Sequence, residues 1–107
     1  LDVSAGNYQF QSLYLSNCGD KGVSVGEKSN VLIDEANINN ASIGIASKDS
    51  SVTNLNKVIL RDMKTCVSAY NKKQEYSGGF LKISYFECQN FVTKLNKDAY
   101  SKIFIDQ

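Results

Sequence analysis

The sequence predicts an all-β chain wound as a parallel β-helix, a β-solenoid of about four coils of about 22 residues each. Three observations predict it. Val23, Ile45 and Val67 recur at steps of 22, each after Gly22, Gly44 or Cys66, and Val92 follows 25 residues later after Phe91. A second column, Phe10, Ile33, Leu55 and Ile83, brings three more in the same register: Leu13, Ala36, Val58 and Phe86, then Leu15, Ile38, Leu60 and Cys88, then Asn17, Asn40, Asp62 and Asn90. Within each unit apolar and polar residues alternate with the period of a strand, and no stretch has the period of a helix.

Residues 30–51 show the unit. Val31 and Ile33 share one face of a first strand, a bend follows, Ala36 and Ile38 alternate on a second, and Asn40 closes it. Ile43, Gly44 and Ile45 begin a third strand, and Lys48-Asp49-Ser50-Ser51 turns the chain. Coils of this kind stack at the ordinary interstrand spacing of about 4.8 Å. Val, Ile, Leu, Phe and Cys then form inward ladders, while Ser, Asn, Lys, Asp and Gln face water. The asparagine column reads as an internal ladder at a bend, its amides bonded from coil to coil, with Asp62 turned to solvent.

The ends fit the same frame. Leu1 and Val3 precede Val23 and Val25 by one coil, and Ile103 and Ile105 follow Leu81 and Ile83 by one. The whole chain, 1–107, is therefore one solenoid segment whose two ends are cut partway round a coil. No amphipathic helix is present to cap them, so the expected neighbours are the rest of a longer chain or another subunit. The alternative is that residues 1–7 and 100–107 fold over as caps. Asp20-Lys21 carries an extra residue in the first coil, with no role assigned. The third coil is longer by about six residues, and the excess falls at 71–79, an insertion on what is often the binding side of a solenoid. Its Gly78-Gly79 pair suits a turn.

Composition narrows the function. The chain has 107 residues, enough for one domain, and a net charge of +1 from 12 basic and 11 acidic residues, which predicts no bulk attraction to nucleic acid or anionic membrane. No apolar run is long enough to span a bilayer, and the opening residues have no basic n-region of a signal peptide. Histidine is absent, which removes Ser-His-Asp and Cys-His catalysis within this chain. Cys18, Cys66 and Cys88 fit no zinc spacing and read as small buried apolar residues rather than a disulfide framework.

The columns, and the rhythm Asn40-Ala41-Ser42-Ile43-Gly44-Ile45 in particular, resemble the right-handed parallel β-helix repeats of the pectate-lyase-like superfamily over about residues 8–105. The resemblance implies a right-handed coil and a superfamily of polysaccharide lyases, glycoside hydrolases, epimerases, tailspikes and non-catalytic surface proteins. The Asn-Thr-Asp, Asp-Asp and Gly-His-Gly signatures of its polygalacturonases are missing, so no catalytic residue is carried over. No cofactor is implied; calcium is the alternative, and no acidic cluster of the pectate lyase type is present to support it.

In a solenoid, residues one period apart stack into one surface row. Glu27, Asp49 and Asn71 form such a row, beside Gly26, Lys48 and Tyr70 on one flank and Lys28, Ser50 and Lys72 on the other. One turn thus gathers Glu27, Lys48, Asp49 and Lys72, with Lys73 and Glu75 from the insertion. Tyr70 and Tyr76 flank that insertion as a platform on which a sugar ring could stack. As a lyase site, Lys48 or Lys72 would take the proton beside a uronate carboxyl group while Asp49 and Glu27 orient substrate or a metal; a paired-carboxylate hydrolase is the other catalytic form. The plainer reading is a solvated turn whose charges maintain solubility. Asn40-Ala41-Ser42 is also a glycosylation sequon, which matters only in a secreted eukaryotic protein. The expected function is a β-helical scaffold, or a segment that binds polysaccharide or a partner, in a larger extracellular or cell-envelope protein; the alternative is a polysaccharide lyase or glycoside hydrolase fragment acting on an acidic glycan.

Overall fold

A computed structural model describes residues 1–106. Six strands, β1 (Asp2–Val3), β2 (Gly6–Val25), β3 (Ser29–Lys48), β4 (Val52–Tyr70), β5 (Phe80–Lys97) and β6 (Lys102–Ile105), lie side by side in that order, and every pair is parallel. Consecutive parallel strands need a crossover connection. Here the chain supplies it by bending: each of β2 to β5 runs once round the coil and returns above its own start. The molecule is a parallel β-solenoid, four circuits with a part-circuit at either end, and the described residues contain no helix, hence none long and apolar enough to cross a membrane.

The pairing places the predicted columns in register. Phe10, Ile33, Leu55 and Ile83 are successive partners, as are Leu13, Ala36, Val58 and Phe86, and Leu15, Ile38, Leu60 and Cys88. Ile33, Leu55, Ile83, Val31, Val58 and Leu60 are almost wholly buried, and each such side chain contributes roughly 1.5–3 kcal/mol of hydrophobic stabilisation. Val3 lies against Val25, and Ile103 and Ile105 against Leu81 and Ile83, as the sequence predicts.

One column differs. Leu95, not Val92, is the partner of Val67, and Val92 is 80% exposed. The insertion at 71–79 delays the fourth coil for every column alike, so the true successor of Val67 lies further along than the Val92 match implied. The third side also departs from alternation. Val23, Ser24 and Val25 are all buried, as are Ile45, Ala46 and Ser47, and Val67, Ser68 and Ala69. Small residues at 24, 46 and 68 let both faces be covered there.

The corners are made by residues that tolerate the left-handed conformation. Asn17, Asn40, Asp62 and Asn90 have φ of 52°, 66°, 62° and 60°, and Asn and Asp bear that region better than other side chains. Their side chains do bond along the stack: Asn40 Nδ2 donates to Asn17 Oδ1 at 2.9 Å, and Asn90 Nδ2 to Asp62 Oδ1 at 2.6 Å. The ladder is on the outside, however, and all four residues are exposed. A left-handed corner turns its Cβ away from the core, which is why the column is external rather than internal. The extra residue of the first coil is absorbed at this same corner, where the register slips between Ser16 and Gly19.

Two cysteines are joined. Cys66 and Cys88 form a disulfide, with Cα atoms 6.4 Å apart, and Cys18 is a free, half-buried thiol. The expectation of three apolar thiols is corrected on this point. The two residues belong to different columns and meet across the core, a proximity that periodicity along one column does not reveal.

Candidate functional site

The charged turn assembles as the row arithmetic predicts. Lys48 pairs with Tyr70, and Asp49 bonds to both neighbouring coils, its C=O accepting Lys28 N–H at 3.0 Å and its N–H donating to Tyr70 C=O at 3.2 Å. Asp49 and Ser50 have φ of 52° and 64°, and Ser51 N–H closes the turn on Lys48 C=O at 3.1 Å. Two positive φ values in succession make this a type I′ turn, for which Asp is among the favoured residues.

Asp49 is fully buried. Its Oδ1 accepts the backbone N–H groups of Lys72 at 2.7 Å and Lys73 at 2.9 Å, and it lies 3.4 Å from Asn71 Nδ2. Asn71 in turn uses its amide on the carbonyls of Lys73, Tyr76 and Ser77 at 2.8–3.0 Å. Its own N–H donates to Asp98 Oδ2 at 2.6 Å. The insertion 71–79 is thus gathered round Asn71 and pinned by Asp49 from the coil below and Asp98 from the coil above. Burial pushes the Asp98 carboxyl up, but bonds from Asn71 N–H, the Ser101 hydroxyl and Tyr100 N–H, with the Lys97 charge nearby, outweigh it and hold the group below its ordinary value.

The other turn residues divide. Glu27 forms an ion pair with Lys73, and this bond holds the Lys73 ammonium above its ordinary pKa. Lys28 Nζ stands 5.7 Å from the centre of the Tyr76 ring, so that ring already carries a cation. Tyr70 is half-buried, and burial raises its phenol, with the Asp20 and Asp49 carboxylates adding to that and Lys21 opposing it. The Lys48 stem lies over Gly26. Among the described residues, the Lys48 and Lys72 ammonium groups take part in no ion pair. The turn therefore brings Glu27, Lys48, Asp49, Lys72, Tyr70 and Tyr76 to one region, but commits Asp49 to backbone amides and Glu27 to Lys73. Among the described residues, no group of three His, Cys, Asp or Glu side chains could hold a metal ion.

A second surface lies on the outer face of the middle side. Tyr14, Asn37, Ile59 and Glu87 are successive register partners and form one row; Ser16, Asn39, Arg61 and Gln89 form the next. Ser12, Glu35, Lys57 and Tyr85 flank them. The first two rows line a shallow groove of about 430 Å³. Glu35 Oε2 accepts Asn37 Nδ2 at 2.8 Å and the Tyr14 hydroxyl at 3.3 Å, and its charge raises the Tyr14 phenol. Tyr85 donates to Glu87 Oε1 at 3.4 Å, and Lys57 Nζ lies 6.0 Å from its ring centre. Arg61 reaches Gln89 at 3.5 Å. The repeat reading missed these rows because their members are chemically unlike. The signal was positional: Tyr14 sits between inward Leu13 and Leu15, so it and every residue one coil step away must face out.

Comparison with protein-family models, with curated proteins and with solved structures finds no match to this chain.

Proposed function

We propose that this solenoid is a non-catalytic carbohydrate-binding module working outside the cell or in its envelope, of the architecture seen across the pectate-lyase-like superfamily that its repeat resembles. The observation that carries the reading is the stacking itself. It turns single side chains into rows at a regular spacing, and those rows leave aromatic and polar groups on the outside of a rigid core, the surface on which a polymer of repeating sugars can be held. The Cys66–Cys88 disulfide supports an oxidising compartment. Among the described residues, the outer edge of β5 beyond Ile83 and the edge of β2 before Ser24 have no strand beside them, and long exposed edges invite pairing.

Asp49 and Glu27 favour binding over turnover, because Asp49 is buried with its Oδ1 holding the Lys72 and Lys73 amides and Glu27 is paired with Lys73. The lyase or hydrolase reading rests on one observation, the Lys48 and Lys72 ammonium groups beside the insertion, which form no ion pair among the described residues. Incubating the chain with acidic and neutral polysaccharides, with and without calcium, tests both. Retention with no unsaturated product and no new reducing ends is expected. Either product would overturn the module reading in favour of an enzyme, and no retention on any polymer would overturn carbohydrate binding.

A further inference from the structure

We infer that the ligand-binding surface is the outer face of the middle side, between Tyr14 and Tyr85, and that its ligand is a neutral, hydroxyl-rich oligosaccharide lying along the coil stack. The inference rests on the carbohydrate-binding reading and names its site and ligand class.

Two rings on this face share one device. Tyr14 is 69% exposed and Tyr85 47% exposed, yet each hydroxyl is held by a glutamate, Tyr14 by Glu35 and Tyr85 by Glu87. Each ring is tethered at its edge and so ordered before a ligand arrives; Tyr14 is bare on its face, while Lys57 Nζ stands 6.0 Å from the Tyr85 ring centre and must give way there. Either ring can then stack on the C–H face of a sugar without first losing rotamer freedom. The two rings belong to the first and fourth circuits, so three coil steps, about 14 Å, separate their levels. That span suits a short oligosaccharide crossing the strands.

The ground between the rings carries the complementary groups. Asn37 and Arg61 present planar donors, and the glutamates present acceptors, the set needed to hold vicinal hydroxyls in fixed directions. Charge on the face is balanced, Glu35 and Glu87 against Arg61 and a neighbouring lysine, so it provides no net field for a polyanion, whether uronate polymer or nucleic acid. A protein partner is the poorer fit. The only aliphatic side chain among the outward rows is Ile59, which is half-buried, whereas a protein interface needs a contiguous apolar centre.

The test uses the whole chain in affinity electrophoresis and calorimetry against soluble neutral polymers (a β-glucan, a xylan, a mannan) and two uronate polymers. The variants are Tyr14→Ala, Tyr85→Ala and Arg61→Ala. Lys82→Ala, on the first side of the coil, is the control. At least one neutral polymer is expected to bind, and each tyrosine variant to weaken it about tenfold, with Lys82→Ala unchanged. Tyr14→Phe, which keeps the ring and loses the tether, should lose less than Tyr14→Ala. Circular dichroism of each variant should match the parent, since these side chains face out. Binding that survives both tyrosine truncations, or that is lost only in Lys48→Ala or Lys72→Ala, would overturn this site while leaving the carbohydrate reading intact. Binding confined to the uronate polymers would overturn the ligand class. No binding to any polymer would overturn both.

Discussion

Cys66 and Cys88 meet across the core at the place where the two coils before them set a glycine against an aliphatic side chain. A Cβ on Gly22 would come within 2.8 Å of Ile38, and one on Gly44 within 2.9 Å of Leu60. Cys66 continues the glycine column and Cys88 the aliphatic one. The third coil thus replaces a none-and-large pair by two medium side chains joined covalently. It is also the coil that carries the insertion, so the bond closes the circuit that strays furthest from the repeat.

Reduction of this bond should weaken the fold. The crosslink spans 22 residues of sequence, for which the chain-entropy account gives a stabilisation of about 3 kcal/mol. Urea titration should show a lower midpoint in dithiothreitol than without it, and Cys66→Ser/Cys88→Ser should match the reduced parent. Cys66→Gly/Cys88→Leu, which restores the pairing of the coil below, should be indifferent to reductant and more stable than the double serine variant. Equal midpoints with and without reductant would remove the disulfide from the energetics.

Two glycines should respond unequally to the same change. A Cβ at Gly79 would stand 1.9 Å from the Ser47 carbonyl oxygen, a backbone atom that cannot move aside. At Gly26 the nearest atom is Cε of the flexible Lys48, at 3.4 Å. Gly79→Ala should therefore cost about 1–3 kcal/mol as an overpacked site, while Gly26→Ala should stay within about 0.5 kcal/mol of the parent. Thermal melts of the two variants decide it, and equal melting temperatures would contradict the close approach at Gly79.

The coils were legible in the sequence because burial repeats chemistry. Ile33, Leu55 and Ile83 must all be apolar to share one interior, so they form a visible column. The turn row Glu27, Asp49, Asn71 was legible for a different reason, since its spacing follows from the period once that is known. What lay beyond reach was set by contacts between columns and by the insertion. Nothing in a column tells that Cys66 faces Cys88, or that Asp49 turns inward to take the Lys72 and Lys73 amides. Outward rows such as Tyr14 and Glu87 have no common chemistry to preserve, so they leave no periodic trace.

Asp49 should act as the anchor of the insertion. Asp49→Ala removes the acceptor of two backbone N–H groups, and hydrogen bonds to a charged group are worth about 1.5–3 kcal/mol each. The expected result is loss of hydrogen-exchange protection at the Lys72 and Lys73 amides and faster tryptic cleavage at those two lysines. Asp49→Asn retains a carbonyl oxygen in the same place and should preserve most of the protection. Unchanged exchange in Asp49→Ala would show that Asn71 holds the loop without it.

Asp98 should give the insertion its acid sensitivity. Its carboxylate accepts Asn71 N–H, Ser101 Oγ–H and Tyr100 N–H, and these bonds favour the charged form. The folded value lies below the unfolded one, so the group stabilises the fold above the unfolded value of 3.8 and ceases to do so as the pH falls through the folded value. Asp98→Asn cannot ionise and can accept at one oxygen only, so it should be less stable than the parent near neutrality. The difference between the two proteins should then shrink as urea titrations are taken from about pH 7 to about pH 2. The same titration read by exchange at the Asn71 amide should lose protection over the same acid range in the parent. A stability gap that stays constant down to the lowest pH would mean that the Asp98 charge contributes nothing, and that its bonds to the loop act as those of a neutral acceptor would.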